Sequence, residues 1–161
     1  MADVRTAYGT SGQAITITLT SLADAAGREG VVVSNTADKY LDALLTAKIK
    51  TQNSGSISAP SAVFVYAYGS VDGGTEYPDA VTGADAAITL NSPTQLKLLG
   101  IVYVAAINTT YKGGPWSVAS LYGGKMPEKW GIVVYNDCGT ALSATGSDHV
   151  VEWQGIYASV T

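Results

Sequence analysis

Residues Trp130 to Thr161 read WGIVVYNDCGTALSATGSDHVVEWQGIYASVT, two runs rich in Val, Ile, Tyr and Trp on either side of a polar stretch. Branched and flat side chains pack well across a pleated surface. The segment therefore predicts two strands joined as a closing β-hairpin. Trp130, Ile132 and Val134 share one face of the first run. In the second, Val151 and Trp153 share one face while Ile156, Ala158 and Val160 share the other. One extra residue would return the later set inward, so a β-bulge is predicted near Gly155.

The same period of two recurs upstream. Ala14 to Thr20 (AITITLT) sets Ile15, Ile17 and Leu19 against Thr16, Thr18 and Thr20, the pattern of a strand with one wet face. Gly30 to Ser34 adds a short strand of valines. Tyr40 to Lys50 fits both a strand and a helix through Leu41, Leu45 and Ile49; Ala43 and Ala47 on the same alternate face favour the strand. Ser54 to Pro60 is a loop by composition. Val63 to Gly69 (VFVYAYG) alternates Val63, Val65 and Ala67 with Phe64, Tyr66 and Tyr68, so its aromatic face is either covered or a contact surface.

A long excursion rich in Gly and Asp runs from Ser70 to Ala87, of a length that tends to carry function or docking. Ile88 to Leu90 predicts a short strand. Gln95 to Asn108 is read as a central strand because Ile101, Val102, Val104 and Ile107 are β-branched. Lys112-Gly113-Gly114-Pro115 reads as a break, and Val118 to Tyr122 as one helical turn stopped by Gly123-Gly124. About eight strands with little helix predict a single all-β domain over residues 1–161, an antiparallel β-sandwich of jelly-roll type. An immunoglobulin-like sandwich is the rival, though the disulfide and Trp spacing of its antibody form are missing.

Composition narrows the function. The chain has 161 residues, 47% apolar and 14% charged, with a net charge of −4 and nine Lys plus Arg. No basic stripe exists to displace counterions from phosphates, which argues against nucleic acid as a partner. No apolar run approaches a membrane span, and the first residues carry no secretion pattern, so synthesis and folding in a cytosol are expected. Cys138, the one cysteine, reads as a packed or turn residue. Asn108-Thr109-Thr110 matches a glycosylation sequon that has no meaning without secretion.

Candidate chemistry is sparse. Asp72, Glu76, Asp79 and Asp85 offer loop carboxylates of the kind calcium takes, but their spacing matches no EF-hand, and Asp and Gly also make turns. His149, Asp148, Ser143 and Ser147 lie close in sequence without the Gly-x-Ser-x-Gly turn of a nucleophile. Glu128, Asp137 and Glu152 would be the acids for glycosidic cleavage. Tyr66, Tyr68, Tyr77, Trp116 and Tyr122 could stack on sugars or anchor an interface, and the low charge density favours the interface. No enzyme, cofactor or metal is expected.

Several runs together resemble a family of small virion structural proteins of tailed bacteriophages: Val4 to Leu22 (VRTAYGTSGQAITITLTSL), Val65 to Pro78 (VYAYGSVDGGTEYP), Val81 to Leu90 (VTGADAAITL), Pro115 to Gly124 (PWSVASLYGG) and Pro127 to Val160. The resemblance spans most of the chain. It implies an auxiliary part of the particle, similar to the small jelly-roll cement proteins that clamp neighbouring capsid subunits, located on the virion and made in the host cytoplasm. The expected partner is the major capsid protein, or a tail protein if the chain is instead a tail adaptor or fibre component. A homo-oligomer, dimer or trimer, is expected, with neither nucleic acid nor membrane as a partner. The expected docking residues are Phe64, Tyr66, Tyr68, Asp72, Tyr77, Asp79, Asp85 and Trp116, helped by an N-terminal arm over residues 1–12. A carbohydrate-binding module for host glycans is the remaining alternative.

Overall fold

The computed structural model describes residues 3–57 and 61–160. Among the described residues eleven strands form in chain order: β1 (Val4–Tyr8), β2 (Gln13–Ala14), β3 (Ala26–Glu29), β4 (Val33–Ser34), β5 (Asp42–Lys50), β6 (Ala62–Ser70), β7 (Ala86–Ile88), β8 (Lys97–Tyr103), β9 (Thr110–Ser117), β10 (Lys129–Asp137) and β11 (Val150–Val160). One sheet runs β1-β11-β5-β9 with β2 also on β11; the other runs β7-β3-β10-β6-β8 with β4 also on β10. Every pairing is antiparallel. With β1/β2 and β3/β4 each taken as one interrupted strand, the chain alternates between the sheets everywhere except from β6 to β8. That order is the two-sheet jelly roll.

The interior is built from the faces that the alternation marks. Ala43, Leu45, Ala47 and Ile49 of β5, Val63, Val65 and Ala67 of β6, Trp130, Ile132 and Val134 of β10, and Val151 and Trp153 of β11 form one buried cluster. Trp130 and Trp153 meet edge to face across the sheets, ring centres 5.4 Å apart at 85°. Asn136 ties the loops at one end, its Nδ2 donating to the carbonyls of Leu22, Ala23 and Thr140.

Several local expectations are corrected. The last two strands are no hairpin: β10 lies between β3 and β6 in one sheet, and β11 lies between β1 and β5 in the other. Both edges of β10 are already occupied, so β11 has no place beside it. No bulge interrupts β11 at Gly155, where the register with β5 runs unbroken from Val150↔Lys48 to Ile156↔Asp42. The change of phase has another cause. Past Gly155 the strand leaves the sandwich and pairs with β1, so Tyr157, Ala158 and Val160 are exposed. A side chain at 155 would collide with the Tyr40 ring, 2.4 Å from its Cδ1.

Of Ala14 to Thr20, only the first residue belongs to a strand. Ile15 and Leu19 are buried as the pattern says, but the segment bonds alternately to both sheets, Ile15 N–H donating to Val151 and Thr16 accepting from Val31. Of the valine strand predicted over Gly30 to Ser34, only Val33 and Ser34 pair, because the ladder runs from Ala26 to Glu29 and resumes at Val33. The strand expected at Ile88 to Leu90 sits two residues earlier, at Ala86–Ile88. β8 is an edge strand, not a central one. Gly113-Gly114-Pro115 does not end β9 but shifts its register with β5 between Leu45 and Ala47, and glycines make room for Trp116: a Cβ at Gly113 would stand 2.4 Å from its ring, and one at Gly100 of β8 would stand 2.2 Å from it. The turn at Val118 to Tyr122 forms as a 3-10 helix over Ala119–Tyr122, closed by left-handed Gly123.

Candidate docking face and cleft

The outer face of the second sheet is shaped by the two residue sets that point away from the core. On β6 these are Phe64, Tyr66 and Tyr68; on β10 they include Val133 and Tyr135. The 71–85 loop folds over one half of this face. It is held there by Glu29, whose buried carboxylate accepts from Thr82 N–H (2.8 Å), Thr82 Oγ1 (2.7 Å) and Gly83 N–H (3.1 Å). Beneath it Tyr68 packs with Val81, Leu96 and Val133, meets Tyr77 edge-on at 5.3 Å and donates to the Gly30 carbonyl at 2.8 Å.

Of the expected docking residues, one is therefore withdrawn from the surface and another is half-buried. Tyr68 is 0% exposed, and burial, more than the Glu29 and Tyr77 charges beside it, raises its phenol strongly. Trp116 faces inward opposite Leu45, its ring laid over Gly100 and Gly113. Tyr77 is half-buried because it closes on Tyr68. Tyr122 is half-buried against the core; burial pushes its phenol up to about 12, with the Lys97 ammonium 5.7 Å from the ring centre.

The loop acids act as three separate knots. Asp72 closes its own turn, bonded by the Ser70 hydroxyl and by the N–H groups of Thr75 and Glu76, which together hold its carboxyl below the ordinary range. Asp79 gathers Asn91, Thr94 and Gln95; burial would raise it, but these donors prevail and lower it. Asp85 bridges Thr18 and Arg28. Among the described residues, no three His, Cys, Asp or Glu side chains come together as metal ligands.

Asp85 carries a pH consequence. Burial would raise its carboxyl, yet the Arg28 and Thr18 hydrogen bonds outweigh it and hold the group at about 2, below the ordinary 3.8. A value depressed by folding stabilises fully above the unfolded value and is lost as pH falls through the folded one. Urea midpoints are thus expected to fall between about pH 4 and pH 2, with Asp85→Asn flattening part of that slope. An unchanged slope in the variant refutes the assignment.

The cluster around His149 does not form a nucleophile. Its Nε2 lies 2.9 Å from the Ser143 carbonyl, its Nδ1 accepts from Lys50 N–H, and the Ser143 hydroxyl bonds to Asp148 instead of to the imidazole. Asp148 also pairs with Lys50 at 3.4 Å. Cys138 is buried, and burial raises its thiol.

The uncovered half of the outer face keeps Phe64 stacked on Tyr66, ring centres 6.3 Å apart at 29°. Leu98 and Tyr103 of β8 are exposed. Next to this stack, Tyr66, Tyr135, Gly27 and Ile88 with the 89–94 loop enclose a cleft of about 550 Å³. Tyr135 and Gly27 escaped the sequence reading as site residues. The signal was present for Tyr135, because alternation with Trp130, Ile132 and Val134 places it outward.

A second exposed apolar region lies on the ribbon of β1 and the end of β11. Val4, Tyr8, Leu41, Tyr157 and Val160 are exposed there. Gly9 N–H donates to Gly155, so alternation turns the N–H and C=O groups of Val4, Thr6 and Tyr8 toward the open edge. Of the expected arm over 1–12, residues 1 and 2 lie outside the described residues, as do 58–60 of the expected 54–60 loop.

These features define a jelly-roll protein with a half-covered aromatic face and an open apolar ribbon. No family model, curated protein or solved structure matches the chain.

Proposed function

We propose that this protein is a non-enzymatic structural component of a tailed-bacteriophage virion, a decoration protein that docks on the major capsid protein and cements the shell. The sequence resemblance supports the virion context, and the jelly roll is an architecture that capsid proteins use. Fold alone does not assign function. The observation that carries the reading is the ribbon, where Val4 and Tyr8 are exposed on β1, whose outer edge is unpaired among the described residues, and Val160 of β11 is exposed beside Val4. Such an edge invites another chain unless it is blocked. A capsid segment that adds to β1 would gain main-chain hydrogen bonds and apolar contacts together. Docking as a dimer or trimer on a symmetric shell multiplies weak contacts into firm attachment.

The loop acids fit the same picture. Asp72, Asp79 and Asp85 spend their lone pairs on the protein's own donors, which keeps the loops rigid for docking. The test uses particles that lack the chain, with wild-type or variant protein added back. Wild type should bind the head and raise the temperature of genome release. A Val4→Asp/Tyr8→Asp double variant should bind at least about tenfold more weakly while its own melting changes little. Label confined to the tail, or unprotected particles despite full occupancy, would reject the capsid role.

A further inference from the structure

We propose that the cleft on the outer face of the second sheet binds an uncharged saccharide, a role separate from shell docking. Gly27 stands in register between Tyr135 of β10 and Ile88 of β7, so the floor between their side chains is open. Glycine is required there by packing, since a Cβ would stand 2.8 Å from the Ile88 carbonyl oxygen. Tyr66 flanks the floor on the neighbouring strand β6, and the 89–94 loop forms the facing wall. The cleft volume of about 550 Å³ lies in the range of small-molecule sites, about 300–1,000 Å³.

The lining chooses the ligand class. Two tyrosines offer flat rings to the C–H face of a sugar. The wall carries Thr89, Asn91, Ser92 and Thr94. Asp79 fixes that wall by accepting from Asn91 Nδ2, Thr94 Oγ1 and Gln95 N–H. Those bonds do not use the Asn91 Oδ1, and among the described residues the Thr89 and Ser92 hydroxyls have no hydrogen-bond partner either, so all three can meet sugar hydroxyls. Among the described residues no Lys, Arg, Asp, Glu or His lines the cleft, so a phosphate or carboxylate would find no counter-charge there. Both walls are held before any ligand arrives, which lowers the ordering cost of binding.

The full-length protein, labelled with ¹⁵N, is titrated with maltohexaose, cellohexaose and chitotetraose while amide shifts are followed. At least one is expected to move the amides of Gly27, Ile88 to Asn91 and Tyr135 in a saturable manner. Tyr135→Ala and Asn91→Ala should each weaken it about tenfold, with Tyr103→Ala, outside the cleft, as the unaffected control. The wild-type map stands even if a variant misfolds. The proposal is overturned if no sugar moves these amides, if the shifts fall elsewhere, or if only a purified capsid protein moves them. That last result would make the cleft a protein contact. Capsid binding is read separately, through the ribbon variants, so either idea can fail alone.

Discussion

Trp130→Ala is expected to remove about 3–5 kcal/mol of folding stability, a large share of the roughly 5–15 kcal/mol that holds a domain of ordinary stability together. Trp130 is 1% exposed and lies where the two sheets meet, its ring set against Trp153. Truncation would leave a void walled by strands from both sheets. Those walls are tied into ladders, since β10 pairs with β6 along its whole length, so they cannot collapse to fill it. The cost is therefore expected at the upper end for a large core residue. Urea unfolding of the two proteins measures it, and a loss below about 1 kcal/mol would show that the interior relaxes freely.

Glu29→Ala should cost about 2–4 kcal/mol, because hydrogen bonds to a charged group are each worth more than neutral ones. Three donors on the 71–85 loop depend on this carboxylate, and losing it leaves two backbone N–H groups without their partner. The effect should also be local. Amide exchange should accelerate across residues 71–85, while β5 and β11 in the other sheet keep their protection. Tyr68, which the loop covers, should then become accessible. Glu29→Gln retains an acceptor oxygen and should fall between the two. Uniform acceleration of exchange across both sheets would instead mean that the loop and the sandwich unfold as one.

How far the sequence could be read depended on which interaction each feature reports. Alternation reports burial. It placed Val63, Val65 and Ala67 and the set from Trp130 to Val134 inward, and all are buried. It also marked Ile15 and Leu19 as buried where no regular ladder forms. Alternation carries no information on the neighbouring strand, which is why two adjacent β-runs at the C-terminus read as a hairpin while belonging to different sheets. The aromatic set of β6 shows a related limit. Phe64, Tyr66 and Tyr68 are equivalent by period, yet Glu29, 39 residues before Tyr68, pulls the loop over only one of them.

Glycines misled for a physical reason. A glycine in a strand marks either a break or a place where another group comes close, and Gly113 and Gly155 belong to the second kind, making room for Trp116 and Tyr40. Their partners are distant in sequence, so the distinction is invisible without the fold. The candidate cleft has the same origin: Gly27, Tyr135 and Asn91 come from three separate segments, and none of them is unusual alone.

By itself the sequence determined an all-β chain, its inward faces and its low, net-negative charge, because side-chain period and composition are properties of neighbouring residues. Tertiary structure alone decided the pairing of strands, the burial of Tyr68, the inward turn of the half-buried Trp116, the spending of the loop acids on internal bonds, and the open ribbon and cleft. Each of these is a meeting between residues far apart in the chain, settled by which edges and cavities remain when the two sheets close on one another.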